Sequence, residues 1–291
     1  MSSYSGLFTA FITLQLFGLF GCLIIFITAL AVKSVPRQTI WFSFVLSWFL
    51  STISYVLLFI SGHATNPEPP YALCLTQASL IYASPVMTSA TTLALVLQVY
   101  FNVKNQFSNV EIRGQRMTMR VLLGVPYLMY LAMFLGCLGA GLLIPGTVQK
   151  DPNRFYCNLV TRIPSRISSI TVATLMVPTT GLAVATFWLL KGNWSSLKES
   201  ITRVLAFSVI GLMAMALGVV FASISGREPE LNMILATVPA LVVIVFGTQK
   251  DLIDAWMFWR QKKHSSTGVD DAECTSNSRT RLVLTSVQTA P

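Results

Sequence analysis

Seven stretches of this chain contain no Asp, Glu, Lys or Arg, and each is long enough, or nearly so, to cross a lipid bilayer. A spanning helix needs ~20 mostly apolar residues, because the hydrocarbon core of a bilayer is ~30 Å thick. The stretches are 1–32, 38–67, 69–103, 121–149, 167–190, 204–226 and 231–249. This pattern predicts an all-α polytopic membrane protein whose main solvent is lipid.

The composition agrees with a membrane environment. Of the 291 residues, 54% are hydrophobic and 11% are charged, whereas a soluble domain has about 25% charged residues. Backbone groups in lipid must be satisfied internally, and apolar runs of this length favour helices over barrel strands. We therefore predict a seven-transmembrane-helix bundle with a surface helix over 1–263, and a disordered Ser/Thr-rich cytoplasmic tail over 264–291.

The expected limits of the seven helices follow from the charges, prolines and glycines between them. The helices are expected at about 7–32, 39–61, 72–103, 118–143, 166–190, 202–225 and 231–248. Prolines inside the third, fourth, fifth and seventh helices are either static kinks or hinges. Gln249–Lys263 has tryptophans and aliphatic residues mostly on one side of a helical wheel, which predicts an amphipathic helix at the cytoplasmic surface.

The basic residues indicate how the chain is oriented. If the amino terminus lies outside, 15 of the 20 Lys and Arg fall in the cytoplasmic segments, as the positive-inside rule expects. The net charge of +9 therefore reflects topology, and we expect no nucleic-acid partner. The prediction is an integral protein, in the plasma membrane, with its amino terminus outside and its carboxyl terminus cytoplasmic.

Two of the five cysteines are placed to form a disulfide. Cys74 opens the third helix on the outer side, and Cys157 lies in the second outer loop, at about 145–165. The outside is oxidising, so a bridge persists there. We predict that Cys74–Cys157 pins this loop across the mouth of the bundle; the alternative is two unpaired thiols.

A polar stripe runs along the third helix. Its members fall within ~80° of one another at 100° per residue, so this face should point inward and this helix should be central. The members are Gln77, Ser84, Thr88, Thr91, Gln98 and Asn102. They either join helices through hydrogen bonds or face a ligand. We expect a ligand-binding site formed by Gln77, Tyr82, Ser84 and Thr88, with Arg154 of the second outer loop.

We expect no acidic or basic side chain within the membrane, because the charged residues lie outside the seven charge-free stretches. Proton relays and ion sites usually depend on such intramembrane charges. Only two histidines are present, His63 and His264, so a zinc hydrolase site is not expected. We predict no enzymatic activity, no metal and no cofactor. Basic residues of the second and third inner loops either anchor to lipid headgroups or dock a cytosolic transducer. The docking candidates are Arg113, Arg116, Lys198 and Arg203.

Seven spans, an outer amino terminus, a bridged second outer loop, a surface helix and a Ser/Thr tail together resemble the G-protein-coupled receptor superfamily. Cys74 and Cys157 match the bridge of that family, and Pro178 matches its helix-five proline. The segments 246–252 and 255–260 look like the end of uncharacterised fungal seven-helix receptor-like proteins.

The chain also departs from the rhodopsin-like class of that superfamily. The inner end of the third helix reads Val99–Asn102, without an acidic-Arg-Tyr triplet. Pro239 has Val238 before it and Val242 after it instead of Asn and Tyr, and the sixth helix has neither Trp nor Pro. The resemblance therefore implies a receptor architecture without the rhodopsin-like switches, as in a divergent fungal class.

These observations predict a receptor-like protein that senses an extracellular small or lipid-like ligand and signals to a cytosolic transducer such as a G protein. The alternative from another class is a small-solute transporter or channel, in which the polar stripe would line the pathway. A structural membrane scaffold is a third possibility. The partners expected are the lipid bilayer, the unknown ligand and a heterotrimeric G protein.

Overall fold

A computed structural model describes most of the chain. The described residues are 2–31, 37–64, 68–108, 115–144, 146–150, 155–191, 229–249, 252–253 and 256–257. In chain order, the elements are α1 (Ser2–Ala31), α2 (Thr39–Ile60), α3 (Tyr71–Ser108), α4 (Gln115–Leu143), β1 (Val148–Lys150), β2 (Cys157–Leu159), α5 (Arg162–Lys191) and α6 (Pro229–Gly247).

The described part of the chain is mostly helical, and five of its helices, α1 to α5, are long and apolar enough to cross a membrane. The apolar part of α6, Met233–Gly247, is shorter. These helices correspond to the first five and the seventh of the predicted spans. The sixth predicted span and the tail over 264–291 lie outside the described residues.

Large apolar side chains cover the outward faces of α4 and α5. Leu128 is 67% exposed, and Ile163, Ile170 and Val177 are exposed to a similar degree. Soluble proteins rarely leave such continuous apolar surface in water. Together with the spanning lengths, this surface indicates an integral membrane protein.

The third helix is central, as its polar stripe predicts. α3 packs against α2, α4, α5 and both strands, and it is the most buried of the five spanning helices. Five of its six stripe residues are buried, and Asn102 is half-buried. The polar face of α3 therefore points into the protein.

Helix α1 completes the bundle by packing against α2 and α6. Gly18 permits this contact, because a β-carbon at that position would lie 2.7 Å from Cβ of Pro239 in α6 and 3.1 Å from Cγ2 of Thr52 in α2. Gly21, one turn further along, faces the side chain of Val243 in the same way. Small residues allow helix backbones to approach closely in a membrane, where packing drives association.

The expectation of a purely helical chain is wrong at one place, between α4 and α5. There β1 and β2 form an antiparallel hairpin in which Val148 pairs with Leu159 and Lys150 with Cys157. The N–H of Val160 extends the ladder by donating to the carbonyl of Thr147 at 2.7 Å. This segment lies over buried side chains, and the ladder satisfies backbone groups that water does not reach there.

The predicted surface helix is described at five positions, 249, 252, 253, 256 and 257. The N–H groups of Leu252 and Ile253 donate to the carbonyl of Gln249, and the N–H of Met257 donates to the carbonyl of Ile253 at 2.9 Å. Leu252 is fully buried, and the indole N–H of Trp256 donates to Oγ1 of Thr28 in α1 at 3.0 Å. The described residues are therefore helical in spacing and dock against the end of α1.

Candidate functional site

The hairpin and the helix ends beneath it form one end of the bundle, called here the hairpin end. The disulfide between Cys74 and Cys157 joins the start of α3 to β2, with 5.3 Å between the two Cα atoms. This is the pairing expected from the sequence. All three residues of β2 are buried, so the bond holds the hairpin down against α3.

Gln77 lies one turn along α3 from Cys74 and reinforces the same contact. Its Oε1 accepts the backbone N–H of Cys157 at 3.1 Å. Its Nε2 donates to the carbonyl oxygens of Ser54 and Tyr55 in α2, at 3.2 and 3.4 Å. One fully buried amide therefore connects α2, α3 and β2.

We expect Gln77→Leu to lower the free energy of unfolding by about 1–2 kcal/mol, the upper range for an interhelical hydrogen bond in a membrane protein. The reason is that the Cys157 N–H loses its acceptor. Thermal unfolding of the purified chain in detergent measures this loss. Gln98→Leu, on the same stripe but far from the hairpin, is the matched control, and an equal loss in both variants would contradict the assigned role of Gln77.

A second set of hydrogen bonds joins α2 and α3 below the hairpin. Ser54 Oγ lies 3.2 Å from Oγ of Ser84, and Ser47 Oγ lies 2.8 Å from Oγ1 of Thr91. The stripe of α3 is thus matched by a row of buried serines on α2. That row consists of Ser43, Ser47, Ser51 and Ser54. The helical spacing of these serines is visible in the sequence and indicates a second inward polar face, on α2.

Aromatic rings from α1, α2 and the hairpin meet above this region, and we call them the aromatic cluster. The cluster consists of Phe8 and Phe11 of α1, Tyr55 of α2, and Phe155 and Tyr156 before β2. Phe11 lies 5.1 Å from Phe155 and 6.2 Å from Tyr55, measured between ring centroids, and Tyr55 lies 5.5 Å from Tyr156. These separations are within the range of favourable ring pairs, so the cluster closes the hairpin end between α1, α2 and α6.

Lys150 attaches the hairpin to the connection between α2 and α3. Its Nζ donates to the carbonyl of Ala64 at 2.6 Å. Partial burial lowers the pKa of this ammonium below its usual value, because the charged form loses hydration. Lys150 lies opposite Cys157 in the ladder, so this end of the hairpin is held through both strands, by the ammonium on β1 and by the disulfide on β2.

The structure places four of the expected ligand-binding residues on α3. Gln77 and Ser84 face α2 and are hydrogen-bonded there. The carbonyl of half-buried Tyr82 accepts from Oγ of Ser168 in α5 at 3.0 Å, and Thr88 donates to the carbonyl of Pro85. The bond at Tyr82 involves its backbone carbonyl, and the bond of Thr88 lies within α3, so the grouping of these four residues in one ligand site stays a prediction.

The expected charged site residues are not placed. Arg154, Arg113, Lys198 and Arg203 lie outside the described residues, and only the backbone of Arg116, in the first turn of α4, is described.

No protein-family model matches this chain, and no curated protein matches it. What the hairpin end can do chemically therefore follows from its own side chains. Those described there include amides, hydroxyls, aromatic rings and the cationic side chains of Lys150, Arg162 and Arg166, which bind molecules by hydrogen bonds, ring contacts and charge.

Proposed function

We propose that this chain is a seven-helix receptor-like protein of the plasma membrane that binds a small or lipid-like ligand at the hairpin end and signals to a cytosolic transducer. The observation that carries the proposal is the hairpin, which is fixed over one end of the helices by Cys74–Cys157 and by Gln77. On this proposal, the fixed hairpin gives the ligand entrance a constant shape.

The directions of the helices support an odd number of crossings. α5 begins at the hairpin end, where Ser168 bonds α3. α6 also begins there, because Met233 and Ala236 pack with the aromatic cluster. We therefore propose a further span between α5 and α6, and the sixth charge-free stretch, 204–226, lies in that interval.

The charges and the disulfide support the proposed orientation. The segments that would lie at the opposite end hold 15 of the 20 Lys and Arg, which favours a cytoplasmic location for that end. A disulfide persists in an oxidising compartment, which favours an extracellular location for the hairpin end. On this proposal, the amino terminus is outside and the carboxyl terminus is cytoplasmic.

The proposed mechanism is a shift between helix arrangements. A ligand that binds one arrangement more tightly than another increases the population of the first. α2 and α3 are joined by hydrogen bonds along their length, so we expect them to move as a unit. The remaining helices would then shift against this pair and change the cytoplasmic face, where Arg113, Arg116, Lys198 and Arg203 are proposed to dock a heterotrimeric G protein or another transducer.

Labelling of the two termini in intact cells tests the topology on which this proposal depends. We expect a tag at the amino terminus to be accessible to an impermeant reagent, and a tag at the carboxyl terminus to become accessible only after permeabilisation. Both tags on one side of the membrane would contradict the proposal. The two tagged chains are controls for each other.

Recruitment of a G-protein α subunit tests the signalling step. We expect a lipid-like ligand to bring this subunit to the chain in cells, and charge reversal of Arg113 and Arg116 to abolish its recruitment.

Reconstituted vesicles test the alternative function, a small-solute transporter or channel. A solute flux lost on Gln77→Leu and Ser84→Leu would identify a transporter or channel and overturn the receptor proposal. If neither recruitment nor flux is observed, the result favours a structural scaffold.

A further inference from the structure

Gln15 of α1 is a fully buried amide whose polar atoms are not satisfied. Its side chain is 0% exposed, and neither Nε2 nor Oε1 has a hydrogen-bond partner within the described part of the chain. Buried polar groups in folded proteins are nearly always hydrogen-bonded, so each exception requires an explanation. An amide has two donor hydrogens and a carbonyl acceptor, and all of them are available here.

Contacts before and after Gln15 along α1 define its position. Phe11, one turn before it on the same buried face of α1, belongs to the aromatic cluster. Gly18, three residues after it, contacts Pro239 of α6 and Thr52 of α2. The amide therefore lies in the interface of α1, α2 and α6, between the aromatic rings and the close helix contact.

This setting defines what would satisfy the amide. Apart from Glu230 in the first turn of α6, the three helices of the interface carry no charged side chain, so a charged ligand group beside Gln15 would have no counter-ion on them. Phe11 lies one turn from Gln15 on the hairpin side of α1 and belongs to the aromatic cluster, whose rings favour a planar apolar body. The amide itself pairs best with a group that offers an acceptor and a donor on neighbouring atoms.

We propose that Gln15 is the polar anchor of a small-molecule site for a neutral ligand with a planar apolar body and a carboxamide-like group. The ligand group would accept from Nε2 and donate to Oε1, while its planar body contacts the aromatic cluster. This site involves none of the residues of α3 expected from the sequence, and its occupancy does not depend on whether the chain signals.

Benzamide is a suitable probe, because it joins an aromatic ring to a primary amide. We expect millimolar benzamide to raise the unfolding temperature of the purified full chain in detergent. Gln15→Leu should weaken the apparent affinity at least ~10-fold, the change expected from losing paired hydrogen bonds in a buried site. Gln98→Leu, which changes another buried glutamine of the bundle, should keep the response of the unchanged chain.

Toluene distinguishes the anchor from general partitioning into an apolar space. It has the same ring without the amide, so we expect any effect of toluene to be equal in the unchanged chain and in Gln15→Leu. Gln15→Met replaces Gln15→Leu if the latter fails to fold, and saturation-transfer NMR of benzamide provides a readout independent of stability. An equal benzamide response with and without Gln15 would overturn the proposal. So would no response in the unchanged chain, the result expected if water alone satisfies the amide.

Discussion

Replacing Cys74 and Cys157 together by alanine is expected to lower the free energy of unfolding by about 2–5 kcal/mol, the range for removing a native disulfide. The bond joins residues 83 apart in sequence, so its loss frees a long loop in the unfolded chain. It also releases β2 from α3 and leaves the Gln77 hydrogen bond as the next restraint. The hairpin would then no longer keep Phe155 and Tyr156 in the aromatic cluster.

Thermal unfolding of the purified chain, with and without a thiol reductant, measures this effect. The reductant should lower the unfolding temperature of the unchanged chain and leave that of the double variant unaltered. Cys22→Ala with Cys137→Ala is the matched control, because both are buried free thiols and their removal keeps the bridge. If the reductant changes nothing in the unchanged chain, the disulfide does not stabilise the fold.

Charge-free stretches predicted the helices because charged side chains rarely lie inside a bilayer. The same rule predicts the ends of helices less accurately. α2 begins at Thr39, as expected, but α3 continues to Ser108, past the expected end at Val103. The absence of charge marks the limits of the lipid, whereas a helix ends where its backbone hydrogen bonds end. A helix that leaves the membrane can continue through residues such as Lys104.

The polar stripe of α3 predicted a central helix but not its partners. A periodic stripe shows which face of a helix points inward, because polar groups avoid lipid. It does not show which neighbour provides the hydrogen bonds. The structure assigns that role to α2, whose serines meet Ser84 and Thr91. The polar stripes on α2 and α3 have complementary spacing, and together they predict that these two helices pair.

Other features of the hairpin end depend on contacts between residues far apart in sequence. Prolines and glycines indicated a loop after α4, but only the fold brings Phe155 to Phe11. Gln15 is the one amide side chain of α1, and its sequence neighbours do not indicate whether that amide is paired. In the same way, the sequence around Gly18 does not show that Pro239 packs against it.

Gly18→Leu is expected to cost about 3 kcal/mol of unfolding free energy, at the upper end of the range for overpacked sites. Even the β-carbon would lie 2.7 Å from Cβ of Pro239, and the rigid proline ring has no alternative rotamer that would make room. Relief requires α1 to move away from α6, which would also separate the two helices on either side of Gln15. Thermal unfolding of the variant measures the loss.

Gly136→Leu provides the matched control for the same substitution in a spanning helix. A β-carbon at Gly136 in α4 has no atom within 4 Å among those compared for this position, and the residue is exposed on the lipid side. An added apolar side chain there has space and a favourable solvent, and it removes the conformational freedom of glycine. We expect little change or a small gain in stability. Equal losses at Gly18 and Gly136 would contradict the close contact between α1 and α6, and with it the placement of Gln15 in a closed interface.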